Sequence, residues 1–289
     1  MENNEIAMVD EFLSDNKKKV DLHMHTTASD GVYSPSEVVR QAALNGLSAI
    51  AITDHDTVSG ISEAFLEGKS QGIQVIPGIE LSVGFVPVMH ILGLFIDVNN
   101  EILKECLDRT RKLKKMIILN AFKRLMQDGI KITPMQIINS KKILSLSSLS
   151  EYVVEKKFVK SKEDVKAALA DLWKQWYISL PSMKEGIELI HSCGGIAILA
   201  HAKKLYLDDE RLKMTLIKLK EYGLDGMEIF HPEHTIMERE KYQIYAKEIG
   251  LLCSGGSDFH GNDRYKIMLN RETGIPFSCF LKLKSKRKS

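Results

Sequence analysis

Val20-Asp21-Leu22-His23-Met24-His25-Thr26-Thr27-Ala28-Ser29-Asp30-Gly31 reads as a strand that runs straight into a loop. Alternate side chains of a strand point the same way, so His23 and His25 share a face where the strand ends. Two imidazoles with a carboxylate, Asp30, five residues on make the beginning of a metal site. A pair of half-exposed strand histidines followed by a turn aspartate would give the same letters, and the stretch alone does not choose between them.

The flanking chain carries the decision. Ser34 stands as an N-cap with Pro35 at the first helical position, and Val38, Val39, Ala42, Ala43 and Leu47 recur at helical spacing. Apolar strand-like runs follow at 47–53, 73–80 and 89–96. The first leads into Asp54-His55-Asp56 and the second ends on Glu80; the third carries His90 near its start. Strand signals vanish from about Glu101 to Ile190. Basic residues interleaved with Leu107, Leu113, Ile117, Ile118, Phe122 and Leu125 there predict an amphipathic helix. Trp173, Trp176 and Tyr177 form an aromatic group that either lines a site or packs between layers. Strand–helix alternation then resumes, with His201, His231 and Ser257-Asp258-Phe259-His260 at strand ends. Such alternation implies parallel pairing through crossover helices.

The expected organisation is an extension over 1–18, a barrel in two parts over 19–100 and 186–275, a helical insertion over 101–185, and a basic tail over 276–289. The tail, with five basic residues between Lys282 and Lys288, reads most simply as a solvated, disordered end. A net charge of +2 argues against a polyanion-binding surface for the chain as a whole. Four cysteines without a Cys-x-x-Cys pair fit a reducing compartment. No apolar run approaches bilayer length and no secretory signal is evident, so a cytoplasmic protein without a membrane partner is expected.

One regularity favours the metal reading. His23, His25, His55, Glu80, His201, Asp258 and His260 stand at the C-terminal ends of apolar strands, and His90 is the exception. In a parallel barrel those ends share one rim, where active sites collect. Six of the nine histidines belong to this set once His90 is counted.

Taken together, His23-Met24-His25 with Ser29-Asp30-Gly31, Thr53-Asp54-His55-Asp56, Pro77-Gly78-Ile79-Glu80, His90-Ile91-Leu92-Gly93, Ala200-His201 and Ser257-Asp258-Phe259-His260 resemble the PHP (polymerase and histidinol phosphatase) superfamily. The nearest branch is that of stand-alone phosphoesterases acting on nucleotides and short oligonucleotides. The resemblance covers about Lys19 to Arg271. It implies an α/β fold, a distorted (β/α)7 barrel of the PHP type with a helical insertion, holding two or three divalent metal ions. Carried over by position, His23, His25, Glu80 and Asp258 hold a first ion; Asp30, His55 and His260 a second; Glu80, His90 and His201 a third. Imidazole and carboxylate without thiolate suit Mn, Zn or Fe. The catalytic group is then Asp30, His55, Asp56 and His260. The expected reaction is hydrolysis of a phosphomonoester (a nucleotide, nucleoside bisphosphate or other small phosphate ester) or a terminal phosphodiester by metal-bridging hydroxide.

Lys203, His231, His234 and Arg264 are candidate substrate contacts. Lys204 is weighed with Lys203 as a phosphate-binding cation, and Glu228 and His191 read as structural. Asp54 and Asp56 either orient an imidazole or cap the next helix. Two departures leave the substrate open: Ala200-His201-Ala202 stands where relatives carry Ala-His-Pro, and Leu144–Val153 lacks their Arg-x-His motif. The expected partner is a small phosphorylated substrate or short oligonucleotide, with no obligate protein partner. An amidohydrolase acting on C–N bonds and a non-catalytic binding module are the competing readings.

Overall fold

A computed structural model describes residues 18–85, 88–130, 145–261, 268–270 and 274–287. Arg264 and the extension up to residue 17 lie outside the described residues.

Seven strands lie side by side in chain order: β1 (Lys19–Met24), β2 (Ala49–Ile52), β3 (Gln74–Val83), β4 (Met89–Leu94), β5 (Ile196–Leu199), β6 (Gly226–Phe230) and β7 (Leu252–Gly255). A parallel bridge between Met24 and Phe259 brings the exit of β7 back beside β1 and rolls the sheet into a nearly closed barrel. A short β8 (Ile275–Pro276) pairs antiparallel with the start of β1. This is the distorted seven-stranded barrel expected from the sequence.

The pairing is not parallel throughout. β4 runs antiparallel to both β3 and β5. Residues 84–88 are too few for a crossover helix, and a chain that short must return as a hairpin. The reversal explains why His90 lies near the start of its strand: in β4 the N-terminal end is the one that reaches the rim.

Val20, Leu22, Ala49, Ala51, Ile76, Leu92, Leu94, Ile196 and Ile198 fill the barrel. Met24 packs instead with Ile50 and Ile52 in the layer outside. The switch of face falls where the β1–β2 register shifts, between Asp21 and Met24. A bulge of this kind re-aims the residues beside it, and here those residues are His23 and His25. The outer layer comes from α1 (Pro35–Leu44) and α2 (Ile61–Gln71) on one side. Ser34, the expected N-cap, closes a capping box with Glu37 at the start of α1.

Between β4 and β5 come α3 (Glu101–Gln127), α4 (Leu146–Glu155), α5 (Lys162–Ala168) and α6 (Ala170–Ser179), which share a core of their own. Trp176 is buried in that core, with Trp173 and Tyr177 packed against it. Then α7 (Met183–Ser192), α8 (Asp209–Glu221) and α9 (Ile236–Ile249) cover the remaining outer face. Among the described residues no helix is long and apolar enough to cross a membrane.

The basic tail is not a disordered end. Phe277–Lys286 forms α10, with Phe280 and Leu283 fully buried against the residues that fill the barrel. Phe277, Phe280 and Leu283 recur three apart and make one apolar stripe; the lysines between them occupy the outer face. The charge run hides this period from a reading based on composition. We expect Phe280→Ala to destabilise the fold by about 3–5 kcal/mol, read as a lowered urea midpoint, whereas a solvated tail would tolerate the change.

Candidate metal centre

The site is built around Glu80. Its side chain is fully buried at the rim end of β3. Oε2 lies 3.2 Å from His23 Nε2, 3.1 Å from His25 Nε2 and 3.1 Å from His55 Nδ1. Oε1 lies 3.0 Å from His90 Nδ1 and 2.8 Å from His201 Nε2. Asp258 Oδ1 completes one face, 3.4 Å from His23 Nε2 and 3.2 Å from His25 Nε2. Farther out, Asp30 Oδ1 lies 3.4 Å from His260 Nε2, and Asp30 Oδ2 3.8 Å from His55 Nε2.

Three groups of donor atoms are close enough to share an ion: His23, His25, Glu80 and Asp258; His25, Asp30, His55 and His260; His55, Glu80 and His90. The rim thus gathers all nine residues expected as ligands, with His201 on the Oε1 side of Glu80. His25 belongs to two groups, but a neutral imidazole offers one lone pair. His25 Nε2 faces Glu80 and Asp258, which assigns it to the first group.

Buried polar atoms test whether cations fit. Nε2 of His23, both ring nitrogens of His25 and Oε2 of Glu80 lie buried with no hydrogen-bond partner. A tetrahedral ion with bonds of about 2.0–2.1 Å sets its donors roughly 3.3–3.4 Å apart. The separations of 3.1–3.4 Å from His23 and His25 to Glu80 and Asp258 match that spacing.

Protonation fits as well. Burial opposes ionisation of Glu80, yet the imidazoles of His55, His90 and His23 hold its carboxyl well below the usual range. Burial pushes His55 well below the ordinary imidazole value, and burial with Lys204 lowers His201 to about 4. Both rings are therefore neutral with a lone pair to offer. Burial opposes charge on His25, but the carboxylates of Asp258 and Glu80 raise it to about 10. A proton stands there where a cation would otherwise balance the carboxylates.

The surrounding shell was only partly legible. Glu228, read as structural from sequence, is fully buried in β6 and accepts from His23 Nδ1 at 3.0 Å and from the His201 backbone N–H at 2.7 Å. It fixes the tautomer that leaves His23 Nε2 free to ligate. The signal was a carboxylate inside an apolar strand. His260 Nδ1 donates to the Asp258 carbonyl at 2.7 Å and turns Nε2 to Asp30. Asp21 accepts from the backbone and hydroxyl of Ser257 and so ties β1 to the loop bearing Asp258.

Asp54 neither orients an imidazole nor caps α2, whose N-cap is Gly60. It accepts from Thr26 N at 2.7 Å and from the hydroxyls of Thr26 and Ser29, holding the loop before Asp30. Asp56, expected among the catalytic residues, turns instead to Ser82, taking its backbone N–H at 2.8 Å and its hydroxyl at 2.9 Å. Its own backbone is left-handed, as are those of His201 and Asp258, and each such residue stores about 1–3 kcal/mol of strain.

The substrate contacts need the larger revision. Lys203 is drawn away by Glu238, at 2.9 Å, and the Glu233 carbonyl. Its neighbour Lys204 is the cation at the centre, 2.6 Å from Asp258 Oδ2. Successive residues of the short 3-10 turn Ala202–Leu205 point in different directions, and letters alone do not separate them. His231 is buried behind Asp258: Nδ1 accepts from Glu233 N–H, and Nε2 lies 3.4 Å from Asp258 Oδ2. His234 is buried against Tyr242 and bonds the Ile229 carbonyl. Neither histidine offers a surface to substrate. His191 pairs with Asp225 at 2.8 Å, outside the cluster.

A PHP domain family model matches residues 21–252. The chain belongs to the PHP domain family. It is 32% identical over 250 residues to a 5'-3' exoribonuclease of Haemophilus influenzae, covering 84% of this chain and 90% of that one. It is 30% identical over 256 residues to a phosphoribosyl 1,2-cyclic phosphate 1,2-diphosphodiesterase of Eggerthella lenta, covering 83% and 94%. Among solved structures, a protein from Bifidobacterium adolescentis described as a metal-dependent phosphoesterase superposes with a TM-score of 0.74 at 27% identity, over 93% of this chain and 96% of that one.

Glu228→Gln supplies one acceptor oxygen where two donors need one each. We expect the variant to fold but to bind metal 10–100-fold more weakly, measured by competition with a chelator.

Proposed function

We propose that this PHP-family chain is a metal-dependent phosphoesterase that hydrolyses a small phosphomonoester or a terminal phosphodiester at the Glu80 centre. The reading rests above all on the four donor residues His23, His25, Glu80 and Asp258, spaced at 3.1–3.4 Å, with His23 Nε2, His25 Nε2 and Glu80 Oε2 buried and without a hydrogen-bond partner. Two or three divalent ions, of Mn, Zn or Fe, fit the donor set. When bound, they neutralise the anionic ester and acidify water near neutral pH.

The chain's own part is to hold, orient and exclude. His23, His25, Glu80 and Asp258 make the buried side of the centre, while Asp30, His55 and His90 keep partly exposed side chains. Substrate therefore enters past Asp30, His55 and His90. Lys204 adds a fixed positive charge beside Asp258 for the phosphate oxygens. The hydroxyls of Ser29, Ser82 and Ser257 each donate to a buried carboxylate, so none of the three is poised as a nucleophile, and water fills that role in this reading. Glu80 would serve as the bridge for which an amidohydrolase typically uses a modified lysine, which favours phosphoester over C–N chemistry. The two curated relatives named above carry different activities, an exoribonuclease and a cyclic phosphate diphosphodiesterase, so the ester itself is a matter for direct assay. Four free cysteines agree with action in a reducing cytoplasm.

Phosphate release from a panel of sugar phosphates, nucleotides and short oligonucleotides tests the reading. Chelation is expected to abolish turnover and Mn, Zn or Fe to restore it. His25→Ala or Asp258→Ala should lower kcat at least a thousandfold, with the circular dichroism spectrum unchanged; normal turnover in either would overturn the assignment. Loading the metal-free protein at pH 7 should release protons, because His25 carries one until a cation replaces it, and affinity should weaken as the pH falls. A pH-stat titration reads both.

A further inference from the structure

Asp30 is the least sheltered of the expected ligands, with a side chain 44% exposed. It stands in the loop between β1 and α1, and its carboxylate reaches His260, His25 and His55 at 3.4–3.8 Å. So open a loop side chain does not by itself hold a ligand atom in place. Something else must fix the loop.

That support is Asp54, which is 1% exposed and lies beneath the loop. It accepts from Thr26 N–H at 2.7 Å, from the Thr26 hydroxyl at 2.8 Å and from the Ser29 hydroxyl at 2.6 Å. Ser29 directly precedes Asp30, and such short bonds to a carboxylate are among the stronger ones. The space is fitted to this arrangement. A Cβ at Gly60 would stand 3.0 Å from Asp54 Oδ2, and a Cβ at Gly31 would stand 2.7 Å from the His25 carbonyl oxygen. On its far side the loop is tied by Val32 N–H, which donates to the His260 carbonyl at 2.8 Å. The loop is thus pinned to the residue before His55 and to His260, the two imidazoles that share the second group with Asp30. None of these ties involves the Glu80 or Asp258 carboxylate of the first group.

We infer that Asp54 is a positioning residue for the second cation alone. By fixing the turn from Thr26 to Ser29 it sets Asp30 against His55 and His260, and the first cation is held independently of it. The inference rests on the metal-binding part of the phosphoesterase reading and not on which ester is cleaved.

The test is made on the full chain loaded with Mn or Zn, with ions per chain counted by atomic emission and affinities taken from chelator competition. Asp30→Ala serves as the reference and identifies the second ion as the one it releases. Asp54→Ala should weaken that same ion tenfold to a hundredfold and leave the tightest ion unmoved. Since Asp54 acts through Asp30, the double variant should lose no more than Asp30→Ala alone; additive losses would overturn the inference. Asp54→Asn keeps an oxygen toward Thr26 N–H and Ser29, and the Thr26 hydroxyl can accept from its amide. It should restore most of the affinity, and an Asn variant as weak as the Ala one would overturn the inference by pointing to charge instead of position. Thr26→Val keeps the side-chain shape and removes one tie. It should weaken the same ion by less, and it carries the test if Asp54→Ala does not fold. Unchanged binding in these variants, or equal weakening of every ion, would overturn the inference. Uptake of no ion by the unaltered chain would sink the metal-dependent reading and this inference with it. Full uptake without phosphate release would sink the phosphoesterase reading and leave the role of Asp54 standing.

Discussion

A fully buried carboxylate ringed by five imidazoles is the constraint from which the rest of this structure follows. Glu80 has His23, His25, His55, His90 and His201 all within 3.2 Å of its oxygens. An ionised carboxylate without water is costly unless charge and hydrogen bonds compensate it. The imidazoles arrive from β1, the loop after β2, β4 and the end of β5, so the compensation exists only when the barrel is rolled up. The site and the fold are in that sense one cooperative unit.

Around that centre a second set of carboxylates works by holding rather than by binding. Asp21 ties Ser257, Asp54 ties Thr26 and Ser29, and Glu228 ties His23 and the His201 backbone. Each is buried, and each joins two segments far apart in sequence. Placement of donor atoms to within a few tenths of an ångström needs such ties, because loops alone do not position a metal ligand that well.

How much of this could be read from letters depended on what each residue's role required. The donor cluster was legible because strand periodicity and strand ends fix where a side chain goes: His23, His25, Glu80 and Asp258 meet as expected. His90 broke the rule only because a five-residue connection reverses β4, a fact of chain length that was open to reading. Lys203 and Lys204 could not be separated, since a 3-10 turn after a left-handed His201 has no simple period. His231 and His234 stand at a strand end like true ligands, but burial behind Asp258 and against Tyr242 is a tertiary property with no local mark. Glu228 and α10 erred the other way: an isolated charge in a strand and a stripe of Phe277, Phe280 and Leu283 among lysines were signals outweighed by their surroundings.

The position of α10 has a temporal side. Val20 and Leu22, near the beginning of the described chain, share their cluster with Phe280 and Leu283, near its end. The apolar filling of the barrel is not complete until α10 has left the ribosome. A nascent chain held before that point carries a funnel lined with aliphatic side chains, and its first strand waits for its last helix.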